Sequence, residues 1–260
     1  MTIAVGVIAA GLFALFAYAG HWPPIVVVES NSMMHVVVAE YNCRPVRNCE
    51  PGDTREPGVP YGRFGTIDPG DIVVVKRTGR ASEIQTFADG GKEHYGLPGE
   101  VVVYRPGGAE GTPIIHRAMT YVWVQQVSGV RTYSVKWADS WPVPATNATC
   151  APPGAQNRTC LFTSQRGGVE IPALNIRGMQ PTHSGLITKG DNRATNRFAD
   201  QILFQEIRDQ PVPTEWLDGV ARGEVPWLGM LKLMLTTGGQ PNCFGAVSYT
   251  HLTLPTNREV

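Results

Sequence analysis

The chain has 260 residues, with 22 Lys plus Arg against 22 Asp plus Glu and a formal net charge of zero at pH 7. That balance argues against a protein built around a basic nucleic-acid-binding surface. The length suits one core-burying domain beside a short terminal segment. Glycine and proline are abundant, at 29 and 21, and helix-period stretches are scarce after residue 20, which predicts a mainly β fold.

Ile3 to Ala19 is an unbroken run of apolar and small residues without charge. At 1.5 Å per residue it covers about 25 Å, the short end of what crosses a hydrocarbon core of about 30 Å. Trp22 suits a membrane interface, and Pro23 and Pro24 stop the helix. Residues 1–20 are therefore read as a single-pass transmembrane anchor, with the remaining chain outside the cytoplasm and the lipid bilayer as a partner. Ala17-Tyr18-Ala19 also fits the A-x-A cleavage site of a signal peptide. No Lys or Arg precedes the run, so neither a signal-peptide n-region nor the positive-inside rule decides the matter.

Residues 25–235 are expected to form one β-rich domain. Ile25 to Val28 and Val36 to Ala39 are short β-branched runs around Ser30-Asn31-Ser32-Met33. Asp68-Pro69-Gly70-Asp71 predicts a turn that releases a strand over Ile72 to Lys76. Val101 to Tyr104 is a strand closed by Pro106-Gly107-Gly108, and Pro113 to Met119 is another. Tyr121 to Val127 and Thr132 to Lys136 predict a hairpin around Ser128-Gly129. Residues 139–182, rich in Pro, Gly and Asn, are expected to be a long surface insertion. Gly185 to Lys189 is a last short strand before Gly190-Asp191-Asn192. Glu206 to Arg222 stays ambiguous, with Pro211 and Pro213 against a long helix. Residues 236–260 end in a stretch that resembles a translated sequencing adapter, so they are expected to be non-native or disordered, and a second C-terminal span to have been lost is an open alternative.

The cysteines fit an oxidising compartment. Cys43 and Cys49 bracket one short segment and Cys150 and Cys160 another, so two local disulfides are the simplest pairing and buried free thiols the alternative. Asn147-Ala148-Thr149 and Asn157-Arg158-Thr159 are glycosylation sequons.

A serine hydroxyl becomes a useful nucleophile when a base takes its proton. Of the six histidines, His116 stands out because an apolar strand, Ile114-Ile115-His116-Arg117, delivers it on a rigid element. Its imidazole suits general-base work near neutral pH. Such a base is usually oriented by a carboxylate, and Asp191 and Asp200 are the two candidates. His35 is a rival base, but its odd offset from Ser32 turns it to the opposite face of an extended segment. Lys76, at a strand end, is more simply a solvated surface lysine. No metal or cofactor is expected.

Taken singly these signals are weak; their order is informative. Ser-x-Ser-Met directly after an apolar span, Gly-Asp-Ile-Val-Val-Val, Ile115-His116-Arg117 and then Thr188-Lys189-Gly190-Asp191-Asn192 together resemble the type I signal peptidases. The resemblance is to the archaeal and endoplasmic-reticulum branch, because His116-Arg117 stands where the bacterial branch has Lys-Arg. It runs from the anchor to about Leu235 and includes the closing segment Glu215 to Met230. It implies a β-rich catalytic domain close to the membrane and removal of signal peptides from secreted preproteins after small-x-small sequences, with secretion machinery as a further partner. Carried over, Ser32 is the nucleophile, His116 the general base, Asp191 the Asp of Gly-Asp-Asn, and Asp200 the candidate for the second Asp. Ser30 and the Ser32 amide are the oxyanion donors. The substrate would bind as an added strand on an edge supplied by Ile25–Val28 or Ile72–Val75. One departure stands out: Asp200 lies nine positions after Asp191, farther than the family's usual spacing, so which Asp orients His116 stays open. Two other classes fit part of the pattern. One is a self-cleaving repressor-type protein, disfavoured by the anchor and His116; the other is an inactive membrane-anchored β-domain serving as a binding or scaffold subunit.

Overall fold

A run of apolar residues without a helix breaker forms the first element, α1, Thr2–Ala19. The computed structural model describes residues 2–34 and 65–226 apart from 109, 145–147, 156 and 193–194, together with 228, 229 and 232. Val36 to Ala39, His35, Cys43, Cys49 and the tail 236–260 lie outside the described residues.

At 18 residues, α1 is about 27 Å long. Among the described residues no helix is long and apolar enough to cross a membrane. From residue 4 to residue 18 its side chains are exposed on nearly every face, including Val5, Ile8, Leu12, Phe13 and Phe16. The C-terminal end is pinned to the sheet that follows: Arg77 N–H donates to Ala19 O at 2.8 Å and Val75 N–H to Pro24 O at 2.9 Å.

The strands are β1 Ile25–Val27, β2 Ile72–Lys76, β3 Glu93–His94, β4 Leu97–Pro98, β5 Val101–Tyr104, β6 Ile114–Val127, β7 Val130–Lys136, β8 Thr149–Cys150, β9 Thr159–Thr163, β10 Val169–Ile171, β11 Ile176–Met179, β12 Gly185–Lys189 and β13 Leu217–Val225. A single turn of helix, α2, spans Asp200–Leu203. The fold is mainly β with antiparallel sheets. Its main sheet runs β1-β2-β13-β5-β6-β7-β9-β8, with β12 added to β6. Two smaller antiparallel pairs, β3-β4 and β10-β11, stand apart from it.

β2, β5 and β12 fall where their β-branched runs between Gly and Pro turns predict. β6 is longer than expected: Pro113 to Met119 and Tyr121 to Val127 are one strand. Thr120, between them, is buried, and its hydroxyl donates to Lys136 O at 2.7 Å, so nothing breaks the ladder. Ser128 and Gly129 then turn into β7 with φ of 50° and 81°, the left-handed pair that a two-residue hairpin matched to strand twist requires.

The surface insertion expected at 139–182 needs correction. β8 and β9 extend the main sheet, and β10-β11 supply Val169, Ile171, Ile176 and Met179 to a buried cluster with Trp137, Trp141, Tyr133 and Phe162. Aromatic burial holds this region: the Trp137 and Trp141 rings meet edge to face at 5.6 Å between centroids, a favoured geometry for aromatic pairs. Cys150 and Cys160 are register partners on β8 and β9 and form a disulfide. Closing so short a loop contributes about 3 kcal/mol in the chain-entropy description. The paired Cys150→Ala, Cys160→Ala variant is expected to lose about that much unfolding free energy in urea, with a correspondingly lower midpoint. A midpoint equal to wild type would show that the bridge adds nothing to stability.

A second cluster lies under β5 and β12 and includes Val102, Tyr104, Ala118, Tyr121, Leu186 and Val212. A third joins Val28, Met33, Ile67, Val73, Val101 and Ala221. These two cores lie on opposite faces of the β5-β6 ladder, because alternate strand residues point to opposite sides.

Candidate active site

The segment that carries Ser30 and Ser32 is short and polar, and its two ends are hydrophobic. Val28 and Met33 are each 2 % exposed and insert into the third core cluster. Val28 N–H donates to Asp71 O at 2.9 Å, and Gly70 N–H donates to Val28 O at 2.8 Å. The Met of Ser-x-Ser-Met is thus a packing anchor that fixes the serines beside it. Between the anchors, the Ser30 and Ser32 hydroxyls share a hydrogen bond at 3.1 Å.

The loop after β12 grips the same segment from the other side. Asn192 N–H donates to Ser32 O at 2.9 Å, Asn192 Nδ2 to Asn31 O at 2.8 Å, and Asn196 Nδ2 to Ser32 O at 3.3 Å. Gly190 makes the approach possible: a Cβ there would stand 2.6 Å from Ser32 O and from Asn196 Cγ. Gly190→Ala is therefore expected to displace the Ser32 backbone. For a site that uses Ser32 as a nucleophile, a shift of about 1 Å costs on the order of a hundredfold in turnover, and a kcat within twofold of wild type would contradict this packing.

His116 comes from β6, paired with Val102 of β5. The next residues of β6 pair with the end of β12, Ala118 with Thr188 and Arg117 with Lys189. The Ser32 segment and the His116 strand thus hang on the same strand end. His116 is 3 % exposed, and Asp200 at the start of α2 is fully buried beside it. The Nδ1–Oδ2 distance is 2.7 Å. With a carboxylate there, Nδ1 carries the proton and Nε2 is left as an acceptor. Among the described residues Nε2 has no hydrogen bond, and none joins Ser32 Oγ to His116. Apo catalytic contacts often tighten only when substrate arrives.

Of the two Asp candidates, only Asp200 meets His116. Asp191 is turned to the other face of β6, where its carboxylate takes Arg117 Nε at 2.8 Å and Arg117 Nη2 at 2.6 Å. Arg117 is fully buried. Its Nη1 also donates to the carbonyls of His94 at 2.9 Å, Leu97 at 3.0 Å and Gly99 at 2.6 Å. This fork ties the β3-β4 hairpin to the loop that holds Ser32.

Lys76 stays away from the serines. β1 and β2 are antiparallel with Val27 opposite Ile72, so Lys76 lies at the end of β2 remote from Ser30. Its ammonium sits 5.1 Å over the Tyr18 ring. Of the two strands expected to offer an edge, β1 is terminal in the sheet and β2 is enclosed between β1 and β13.

Sequence reasoning missed Tyr104. Its hydroxyl donates to Asp200 Oδ2 at 2.9 Å and accepts from Thr188 Oγ1 at 3.3 Å. Burial, and then the Asp200 carboxylate, push the phenol well above the ordinary tyrosine range, so it stays a donor. A lone aromatic ending a β-branched strand gives no sequence signal for this. Asn192 and Asn196 were equally silent, since Gly-Asp-Asn reads first as a turn. Among the described residues no cluster of His, Cys, Asp and Glu is arranged to hold a metal.

No protein-family model, curated protein or solved structure matches this chain.

Proposed function

We propose that the chain is a membrane-tethered serine endopeptidase of the signal-peptidase type, archaeal and endoplasmic-reticulum branch, which removes signal peptides from secreted preproteins. The observation that carries this reading is the buried His116–Asp200 pair, set on the strand whose partner, β12, leads into the loop gripping Ser32. A histidine held by a carboxylate with its second nitrogen unbonded is the arrangement a general base needs.

In this mechanism His116 Nε2 takes the Ser32 proton as Oγ attacks the scissile carbonyl. The Ser30 hydroxyl and Ser32 amide stabilise the oxyanion. The imidazolium then protonates the leaving amine, and water, activated by the same nitrogen, releases the acyl group. Asp200 holds the ring and its charge throughout. The substrate joins the sheet as an extended strand at the β1 edge, which runs directly into the serine segment.

The tether is proposed from α1. A helix apolar all round is stable where its surroundings are apolar, and α1 exposes Val5, Ile8, Leu12, Phe13 and Phe16 in different directions. A helix somewhat shorter than the hydrocarbon core is accommodated by local thinning and by interfacial anchors. Trp22, Tyr18 and Lys76 stand at its sheet-facing end as such anchors. Tethering enzyme and preprotein in one bilayer raises their effective concentration, so weak small-residue pockets suffice.

The test is cleavage of a preprotein by the full chain in bilayer discs, with the new N-terminus read by mass spectrometry. A single cut after a small-x-small sequence is expected. Failure to cleave any preprotein, with the fold intact, would favour the alternative of an inactive anchored β-domain.

A further inference from the structure

The buried carboxylate that faces His116 is held unevenly. Asp200 Oδ2 accepts from both His116 Nδ1, at 2.7 Å, and Tyr104, at 2.9 Å. Oδ1 is buried and has no hydrogen-bond partner among the described residues. A carboxylate with an unpartnered buried oxygen is free to rotate its atoms unless something fixes it, and a wrongly rotated carboxylate presents poor geometry to the imidazole. Tyr104 is fully buried at the end of β5. Its hydroxyl has one proton, and Thr188 Oγ1 donates to its oxygen at 3.3 Å, which leaves that proton directed at Asp200.

We propose that Tyr104 is a positioning residue for His116: with Thr188 behind it, it fixes which Asp200 oxygen meets the imidazole and shares that oxygen's charge. The sequence Thr188 to Tyr104 to Asp200, met from the other side by His116, is one chain of donors across β12, β5, α2 and β6. The consequence for catalysis rests on the serine-endopeptidase reading above; the geometric role does not.

Losing the phenolic donor removes the only bond, among the described residues, that competes with the imidazole for Oδ2. The carboxylate then carries more charge toward His116, and the protonated imidazole is held more strongly. The charged and titratable groups around His116 leave Asp200 as the partner affected. Tyr104 comes from β5 and Asp200 from α2. Lys189 on β12 donates to its neighbour's carbonyl at 3.2 Å, and Arg117 is engaged with Asp191 on the opposite face. The Phe204 ring, 6.3 Å from the imidazole between centroids, adds no charge.

The experiment compares wild type, Tyr104→Phe and Thr188→Val as full chains in detergent micelles, by pH-dependent kinetics and by the low-field proton resonance of the His116 ring, identified through its loss in His116→Ala. Tyr104→Phe is expected to lower kcat about tenfold with KM unchanged, as for loss of a hydrogen bond to a charged group. It should also displace the acid limb of the pH–rate profile and shift the ring proton downfield. Thr188→Val should do the same more weakly. A Tyr104→Phe protein whose profile and ring proton match wild type overturns the proposal, even if activity falls, because the tyrosine would then be ordinary packing. If no variant cleaves preprotein but the ring proton still shifts, the positioning role stands and the peptidase reading fails.

Discussion

In the proposed peptidase mechanism, His116→Ala is expected to lower preprotein cleavage by about six orders of magnitude in kcat, the loss typical when the base of a serine peptidase is removed. Asp200→Ala should cost about four, because the imidazole keeps its place on β6 but loses the partner that sets its tautomer. The pairing at 2.7 Å between Nδ1 and Oδ2 assigns that role to Asp200, although it lies in the less conspicuous of the two Asp segments. Measured under saturating substrate with matched circular dichroism, the order of loss should be His116, then Asp200. A larger loss in kcat for Asp191→Ala than for Asp200→Ala, in folded protein, would reverse the assignment.

Arg117→Met carries the largest expected effect on stability. The guanidinium is fully buried, paired bidentately with Asp191 and bonded to hairpin carbonyls. Removing one member of a buried charge pair costs about 3–5 kcal/mol, because the partner is left as a desolvated charge. For a domain of this size that lowers Tm by on the order of 10 °C. The double variant Arg117→Met, Asp191→Leu should recover much of the loss, since an apolar pair leaves no charge uncompensated. It should still retain the His116–Asp200 pair on the other face of β6. A Tm unchanged in Arg117→Met would mean that the fork contributes little. A double variant no more stable than the single one would mean that the hairpin carbonyls, not Asp191, are its main partners.

The His116–Asp200 pair and the Arg117–Asp191 fork separate what the sequence displays from what only the fold reveals. Short β-branched runs between Gly and Pro turns, as at Ile72–Lys76, Val101–Tyr104 and Gly185–Lys189, are legible because strand preference and turn chemistry agree there. Residues 139–182 are not, because Pro, Gly and Asn mask four short strands that pack on Tyr133 and Trp137, which arrive from outside the segment. The residue types of the site are readable from Ser30, Ser32 and the strand histidine. The choice between Asp191 and Asp200 is not, because it is decided by which face of β6 each meets. Asp191 follows β12 directly and turns toward Arg117; Asp200 reaches His116 only after the chain has looped back into α2. Tyr104 needed the same closure of β5 against α2 before its hydroxyl had any role.

The most direct test of the chemistry is the rate of preprotein cleavage by Ser32→Ala in bilayer discs, with folding confirmed by an unchanged Tm. A rate about six orders of magnitude below wild type is expected if Ser32 is the nucleophile. Cleavage at the wild-type rate would contradict that role.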